Sequence, residues 1–419
     1  MRVRDQLDSM DVVGVRVFVG PGATAVALAA VSTGILLGTC SGLVPGLHVN
    51  TLALLLAAAA PAVPGPPHLV GAALLAAGVT HSFLDVVPTL ALGVPDPAMA
   101  VSALPGHRLV MGGRGREALR ISALGSGVAV GVAFVLGIPV TWVANRVAPL
   151  VYAHLTVVVA ALLVFLLARE TSWRARAGGL LSVVASGALG VVALPMDPTG
   201  VVPTGDVLAP LFAGLFGAPV LLAAYRGAGV PEQGDPVVAD RPRDVVEPGV
   251  AGSLAGAAVA YVPGVSGAIA AIFALEATRT EGDRAFVAAL SGVNTANTVF
   301  ALYALFALGD PHTGVLVAFE RAKLPRTLPL LLASVALAAV VAAVLVPVLG
   351  DRYFRLVRAV NHRRLTVAVC VLLVVLSWLF AGVVGVALLV VATLVGTIPP
   401  WFGARRVHLM AVLLVPIAL

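Results

Sequence analysis

The sequence predicts an all-α, polytopic membrane protein, and three observations support this fold class. Of the 419 residues, 60% are hydrophobic and only 11% are charged, and the mean hydropathy is +1.04. The charges are clustered, and the apolar runs between the clusters reach the length of a membrane-spanning helix. A soluble chain carries about a quarter charged residues. The composition therefore excludes soluble enzymes, coiled coils and disordered chains, and predicts a multi-pass protein of the cell membrane.

Nine nearly uncharged segments are each predicted to span the membrane once. At about 1.5 Å per residue, each segment can cover an apolar core roughly 30 Å thick. In chain order they are 68–93, 119–147, 149–168, 177–195, 205–225, 285–309, 325–350, 365–381 and 382–398.

Two further apolar segments, 23–60 and 249–278, are interrupted by Pro-Gly, at Pro45-Gly46 and at Pro263-Gly264. Proline removes a helix donor and glycine accepts non-helical angles, so each segment is predicted to break into two half-helices. We expect both segments to form re-entrant hairpins whose tips lie at membrane depth.

Arginine placement predicts the orientation of these spans. The arginine-rich loops 106–120, 169–176 and 351–364, together with Arg405 and Arg406, fall on one side of the membrane by the span count. Positively charged loops face the cytoplasm. These loops are therefore predicted to be cytoplasmic.

A repeat divides the chain into two related halves. A glycine-proline pattern recurs after 218 residues, and a second pattern, Gly78 with Asp96-Pro97, recurs after 214 as Gly292 with Asp310-Pro311. The members of the first pattern are Gly34, Gly38, Pro45 and Gly46, which match Gly252, Gly256, Pro263 and Gly264. Five predicted spans separate the two broken segments, and an odd number inverts the second half relative to the first.

This repeat predicts five regions. They are an N-terminal segment (1–22), a first inverted repeat (23–147), connecting spans with a cytoplasmic linker (148–248), a second inverted repeat (249–350) and C-terminal spans (351–419).

The broken hairpins predict an anion site. A helix that begins inside the membrane directs unpaired N–H groups and the positive end of its dipole at whatever lies in front of it. The candidate substrate-binding residues at the two tips are Pro45, Gly46, His48, Asn50 and Thr51, and Pro263, Gly264, Ser266 and Gly267. The alternatives are that His48 only bonds a neighbouring carbonyl, that Asn50 and Ser266 only cap their half-helices, and that the glycines only allow close packing.

Two spans carry polar residues that suggest ion coupling. His81 and Asp85 are four residues apart, so they share one helix face, and a carboxylate at membrane depth normally faces a cavity or a partner. Asn294, Asn297 and Thr298 in the matching span offer oxygen ligands. These five residues are candidates for coupling to H⁺ or Na⁺. The alternative is that they hold helices together.

Loop cations and known motifs add little further chemistry. Arg108 and Arg120 border the first polar span and are candidates for guiding anions, although loop arginines also set topology. The chain has neither a GxxxxGK[ST] phosphate loop nor an HExxH zinc motif. We therefore expect no metal or cofactor beyond a coupling ion.

Several motifs resemble one family of membrane proteins. They are Gly34-x3-Gly38-x6-Pro45-Gly46-Leu47, Val87-Pro88-Thr89-Leu90-Ala91-Leu92-Gly93-Val94-Pro95-Asp96-Pro97, Leu104-Pro105-Gly106-His107-Arg108 and Gly113-Arg114-Gly115-Arg116-Glu117-Ala118-Leu119. They resemble TctA-type permeases, the large membrane subunits of tripartite tricarboxylate transporters, and most closely their archaeal relatives of unassigned function. The run from Pro263 to Gly267 is also similar to the translocases of polyprenyl phosphate carriers.

The resemblance implies a carrier for an organic anion or an anionic lipid, without enzymatic activity. It also implies partners: a soluble binding protein or a small membrane subunit, and a homodimer as a further arrangement. The sequence departs from the permeases at His48-Val49-Asn50 and at Thr80-His81-Ser82. The implied substrate is therefore a class of carboxylates rather than citrate itself.

The leading interpretation is a secondary transporter that moves an organic anion by alternating access, with H⁺ or Na⁺ as a coupling ion. The alternatives left open are a translocase for a polyprenyl phosphate, a channel, and an intramembrane hydrolase that uses His48 or His81. An aspartyl protease needs two acids in one site, and Asp85 is the only acid deep in a predicted span.

Overall fold

The computed structural model describes most of the chain, and the fold is reported for those residues. The residues outside the description are 1–7, 13–14, 64, 94–102, 203–206, 226–228, 239–240, 263–266, 277, 281, 310 and 312. The described part is helical, as predicted, apart from one antiparallel pair of strands near the N-terminus, β1 (Asp8–Val12) and β2 (Val15–Val19). The sequence analysis did not foresee this strand pair.

The helices fall into four successive groups. The first comprises α1 (Pro21–Gly42), α2 (Val49–Ala59), α3 (Pro67–Leu84), α4 (Val86–Leu92), α5 (Ala103–Met111) and α6 (Gly115–Ala153). The connecting group comprises α7 (Leu155–Ala168), α8 (Trp173–Ala193), α9 (Leu208–Phe212), a π turn (Ala213–Gly217) and α10 (Ala218–Ala224).

The third group comprises α11 (Pro242–Tyr261), α12 (Gly267–Glu276), α13 (Asp283–Leu308), α14 (Gly314–Arg321) and α15 (Leu328–Ala359). The C-terminal group comprises α16 (His362–Gly396), α17 (Ile398–Phe402), a 3₁₀ turn (Arg406–Met410) and α18 (Ala411–Ala418). When α3 and α4 are counted as the one apolar span Pro67–Leu92, the order of helix lengths is the same in the first and third groups: long, short, long, short, long.

Among the described residues, seven apolar helices are long enough to cross a membrane, which confirms a multi-pass membrane protein. Four shorter apolar helical segments accompany them: Val49–Ala62, Leu155–Ala168, Leu208–Ala224 and Arg406–Ala418. The nine predicted spans do not map one to one onto these helices. α6 continues through the predicted break near residue 148, with Pro139 and Pro149 inside it, and leaves only 14 residues for α7.

Glycines allow α1 and α3 to touch backbone to backbone. A Cβ at Gly34 would come within 2.2 Å of the Ala73 carbonyl oxygen, and a Cβ at Gly38 within 2.3 Å of the Ala77 oxygen. Small residues permit this close approach in membranes. Because the contact positions advance together along both helices, α1 and α3 run parallel.

The pair α11 and α13 packs in the same way. Gly252 lies against the Ala289 carbonyl and Gly256 against the Val293 carbonyl, so these helices also run parallel. The predicted glycine pattern therefore marks equivalent contacts in both halves of the chain. In the structure, each glycine removes a Cβ that the neighbouring backbone would exclude.

The two helix pairs run in opposite directions. The Asn294 side chain of α13 reaches the Ser82 carbonyl of α3. Eight residues after Ser82, Leu90 contacts Gly106, and Val287 of α13 lies at the same glycine, seven residues before Asn294. Residue numbers thus increase along α3–α4 in the direction in which they decrease along α13. The segment α3–α4 is therefore antiparallel to α13.

The long apolar helix α16 reverses direction at Gly382, which has φ +57° and ψ −147°. A Cβ at Gly385 would come within 2.2 Å of the Ser377 carbonyl, eight residues earlier. An uninterrupted helix would separate these residues by about 12 Å. Residues 362–381 and 383–396 are therefore two antiparallel arms, and the predicted boundary at 381/382 coincides with the reversal.

Replacing Gly382 by alanine is expected to destabilise the protein by about 1–3 kcal/mol, because only glycine adopts this backbone region without strain. A Cβ would also lie 2.7 Å from the Thr199 carbonyl oxygen. The measurement is the thermal unfolding midpoint in detergent. Gly131, with nothing within 4 Å of its Cβ position, is the matched control. Equal effects of Gly382→Ala and Gly131→Ala would contradict the assigned backbone geometry.

A buried carboxylate fixes the C-terminal group to the rest of the fold. Glu170 is 5% exposed and accepts hydrogen bonds from Arg405 Nε at 3.1 Å and from His408 Nε2 at 2.7 Å. Burial alone would raise the pKa of Glu170, but the hydrogen bonds from Arg405 and His408 outweigh it and hold the pKa below its ordinary value. The ionised carboxylate thus anchors the turn before α18.

Candidate anion-binding cavity

A cavity of about 230 Å³ lies between the start of α2, the start of α12, the end of α3 and the middle of α13. Its polar lining consists of His48, Asn50, Ser82, Asn294, Asn297, Thr298 and Thr313. Five of these residues are predicted site residues: His48, Asn50, Asn294, Asn297 and Thr298. The structure thus brings the first hairpin tip and the polar run of α13 into one space.

His48 is the N-cap of α2. Its Nδ1 accepts a hydrogen bond of 2.9 Å from the backbone N–H of Asn50. A neutral imidazole whose Nδ1 accepts carries its proton on Nε2. His48 therefore caps α2, a role that the sequence analysis considered for Asn50 instead, and its side chain also lines the cavity. Asn50 lies beside it, packed against Gly314 of α14.

Other residues of the first tip lie behind the cavity wall. Thr51 is completely buried in the first turn of α2. Pro45 and Gly46 belong to the non-helical link between α1 and α2, and Gly46 has φ +81°. A Cβ at Gly46 would come within 2.3 Å of the Leu373 side chain. Any substitution at Gly46 is thus strained, so a Gly46 variant reports on folding as well as binding.

The second tip is described only from Gly267 onward. Gly267 begins α12 and lines the cavity. The predicted residues Pro263, Gly264 and Ser266 lie outside the described residues. The start of α12 nevertheless places a second helix N-terminus at the cavity.

His81 and Asp85 each bind a different neighbour across a helix interface. His81, fully buried, shares a hydrogen bond of 2.9 Å between its Nδ1 and Ser41 Oγ of α1. Asp85, 5% exposed, accepts a hydrogen bond of 2.9 Å from Asn294 Nδ2, which also donates to the Ser82 carbonyl. Asp85 thus connects to the cavity through Asn294, and His81 connects to the first hairpin.

Two cavity-lining oxygens lack a hydrogen-bond partner in the described part of the chain. They are Asn297 Oδ1 and Thr313 Oγ1. Buried polar atoms without partners are costly in a folded protein, and both atoms belong to residues of the cavity wall. Together with Thr298, they offer oxygens to a cation or to a donor group of a ligand.

The two arginines predicted to guide anions are engaged in ion pairs outside the cavity. Arg108 binds Asp283 at the start of α13. Arg120 binds Asp351 of α15 at 2.9 Å and also donates to the Arg116 carbonyl. These contacts join helix ends, and neither arginine lines the cavity.

The apolar wall of the cavity was not predicted from the sequence. Leu208 and Phe212 of α9, with Met410 and Leu413 of the C-terminal segment, close one side. These residues carry no pattern that separates them from ordinary lipid-facing or core residues. The missed Ser41 is likewise one small polar residue among many, and only the register of α1 on α3 brings it to His81.

Comparisons with known proteins cover most of the chain. A profile of the family described as "Tripartite tricarboxylate transporter TctA family" matches residues 28–411. An uncharacterised protein of Methanocaldococcus jannaschii is 28% identical over 192 residues, which are 45% of this chain and 46% of that protein. The chain thus spans about half the length of this curated relative. No solved structure matches the chain.

Proposed function

The chain belongs to the tripartite tricarboxylate transporter TctA family, and on this premise we propose that it is a secondary carrier of a small organic anion. The observation that carries the proposal is the cavity between two helix N-termini at membrane depth. The family is described as one of tripartite tricarboxylate transporters. The residues of the cavity accordingly serve binding and not catalysis.

The anion binds at the starts of α2 and α12. Both starts offer backbone N–H groups and the positive end of a helix dipole, which favour a carboxylate without a lysine or arginine. His48 Nε2–H and the Asn50 amide add donors from the cavity wall. The cavity is smaller than the ~300–1,000 Å³ pockets of drug-sized ligands, which favours a small carboxylate.

Alternating access rests on the two halves being inverted repeats. Support comes from the parallel pairs α1–α3 and α11–α13, which run in opposite directions, and from the repeated order of helix lengths. Transporters with this arrangement expose a midplane site to each side in turn. In the first half the hairpin would be α1–α2, and in the second half α11–α12.

Ion coupling uses the residues behind and around the bound anion. The carboxylate of Asp85, bound to Asn294, is the proposed proton acceptor. Asn297 and Thr298, whose side chains line the cavity, are the alternative ligands for Na⁺. A soluble binding protein and a small membrane subunit, which complete tripartite systems, are the proposed partners of this chain.

A second candidate function is the translocation of a polyprenyl phosphate. An apolar groove of about 410 Å³ lies between α6 and α11 and reaches Tyr261 and Val262, the last described residues before Pro263. Such a groove suits a lipid chain. However, α11 directs Val259 to the cavity and Ala258 to the groove, so a headgroup would have to pass the end of α11. The soluble carboxylate therefore remains the first proposal.

The test measures binding and uptake by the purified protein in proteoliposomes, with citrate, succinate and a polyprenyl phosphate as probes. His48→Asn keeps an N-cap side chain but removes the imidazole Nε2–H. Loss of a hydrogen bond to a charged ligand costs about 1.5–3 kcal/mol, so carboxylate affinity should fall about tenfold or more. The exposed His154 supplies the control His154→Ala. Binding of the lipid phosphate alone would overturn the carboxylate proposal.

A further inference from the structure

A second cavity of about 120 Å³ lies at the predicted cytoplasmic ends of the helices. It is lined by α4, α5, α10, the end of α15, the start of α16 and the linker residues Gly229 and Val230, and its polar lining includes His107, His362 and Thr366. The loops that carry His107 and His362 are two of the arginine-rich loops predicted to face the cytoplasm. The second cavity is therefore a chamber on the cytoplasmic side.

The two cavities lie on the same pair of helical segments. On α3–α4, Ser82 lines the first cavity and Leu92 the second, ten residues later. On α9–α10, Phe212 lines the first and Leu221 the second, nine residues later. These separations correspond to about 13–15 Å along each helix. Both segments thus lead from the first cavity, which is the candidate anion-binding cavity and is called the central cavity below, to the chamber on the cytoplasmic side.

A small apolar cluster has members in the wall of the second cavity and beside the wall of the first. It consists of Ala213, Leu221, Val369, Leu373 and Leu389, and it is separate from the two larger apolar cores of the described chain. Ala213 directly follows Phe212, a residue of the central cavity, whereas Leu221 and Val369 line the cytoplasmic chamber. The cluster therefore connects the walls of the two cavities.

Two features connect this cluster to parts of the fold that can change. Leu373 packs against Gly46, in the link of the first broken hairpin. Ala213 begins the π turn at Ala213–Gly217, and π turns inside helices are frequent at functional sites. A shift of the first hairpin would remove the group that Leu373 contacts and would loosen the cluster.

The chemistry of the chamber suits an anion. His362 Nε2 has no hydrogen-bond partner among the described residues, and it belongs to a residue of the chamber wall. His362 also begins α16, whose positive dipole end and neighbouring Arg363 and Arg364 attract negative charge. The remaining wall is mostly apolar, so these few groups act in a medium of low polarity.

We propose that this chamber is the cytoplasmic binding station of the transported carboxylate, and that the Leu373 cluster is the closed barrier between it and the central cavity. The proposal rests on the proposed function for the identity of the cargo. Whether the path exists can be tested without knowing the cargo, because the reactivity of introduced cysteines reports access along the path even when nothing is transported.

The experiment uses the full-length protein with Cys40 and Cys370 replaced by alanine, in inside-out membrane vesicles. Val259→Cys places a thiol in the central cavity wall. Leu373→Ala should increase its modification by an anionic methanethiosulfonate from the cytoplasmic side by about tenfold or more, because the barrier no longer screens it from the reagent. Leu388→Ala is the matched control, since Leu388 lies on the same helix but in another apolar cluster.

A second measurement remains valid if Leu373→Ala fails to fold. Ala224→Cys lines the chamber, and with the barrier intact it should react with an anionic reagent faster than with a cationic one. His362→Gln should reduce this preference for the anionic reagent. An inert Ala224→Cys, or equal reactivity of Val259→Cys in the Leu373 and Leu388 variants, would overturn the path.

The same preparations separate this inference from the proposed function. Reactive thiols in the predicted pattern, combined with absent carboxylate uptake, would support the path and reject the cargo. Carboxylate uptake combined with an unchanged Val259→Cys reactivity in the Leu373 variant would support the carrier and reject the barrier.

Discussion

Replacing Glu117 by glutamine is expected to destabilise the protein by on the order of 3 kcal/mol, the lower end of the cost of breaking a buried ion pair. The Glu117 side chain is 5% exposed and contacts Arg114 Nε at 2.8 Å and Arg284 Nη2 at 2.6 Å. It therefore joins the start of α6 to the start of α13. Both arginines retain contact with solvent, which reduces the cost of removing the charge that they share.

The measurement for Glu117→Gln is the thermal unfolding midpoint of the detergent-solubilised protein. Glu320→Gln is the matched control, because Glu320 pairs with Arg326 but is 31% exposed. Partly exposed pairs contribute about 0–1 kcal/mol. A decrease in the midpoint that is the same for both variants would mean that Glu117 does not connect the two halves of the fold.

The helical breaks and the polar wall of the cavity could be predicted because each violates the surrounding pattern. Pro45-Gly46 interrupts an apolar helix, and a polar side chain such as Asn294 is costly at membrane depth unless a cavity or a partner receives it. His48 follows the break directly, so its place at a helix start also follows from the sequence. Local rules thus suffice where one residue determines the local structure.

The partners of these residues could not be predicted, because they depend on the register between helices far apart in sequence. The spacing of His81 and Asp85 correctly placed both on consecutive turns, yet the contacts found are with Ser41 and Asn294. A spacing of four defines a helix face but not the neighbour that this face meets. The acid that binds Arg120 is likewise 231 residues away.

The wall formed by α9 and the C-terminal segment escaped prediction for a different reason. Phe212 and Met410 are apolar residues in apolar segments. A cavity wall, a protein core and a lipid-facing surface all contain such residues, so their residue type does not tell these environments apart. The reversal at Gly382 was predictable only as a boundary, because a glycine at positive φ cannot be recognised among 44 glycines.

Replacing Asp85 by asparagine is expected to abolish proton-driven accumulation of the carboxylate and to leave counterflow largely intact. The asparagine side chain keeps an oxygen that can accept the hydrogen bond from Asn294, so the geometry of α3 on α13 is retained. It cannot take up and release a proton. Binding rests on the helix N-termini and His48, which the substitution does not touch.

The measurement is pH-dependent uptake beside substrate counterflow in the same proteoliposomes, with the exposed Asp197→Asn as the control carboxylate. A purely structural Asp85 predicts the opposite pattern, in which the variant unfolds at a lower temperature while the surviving protein accumulates substrate with normal pH dependence. That result would end the proton-coupling proposal. It would leave Asn297 as the candidate ligand for Na⁺. Its Oδ1, like Thr313 Oγ1, has no hydrogen-bond partner among the described residues, and a bound cation would satisfy such an oxygen.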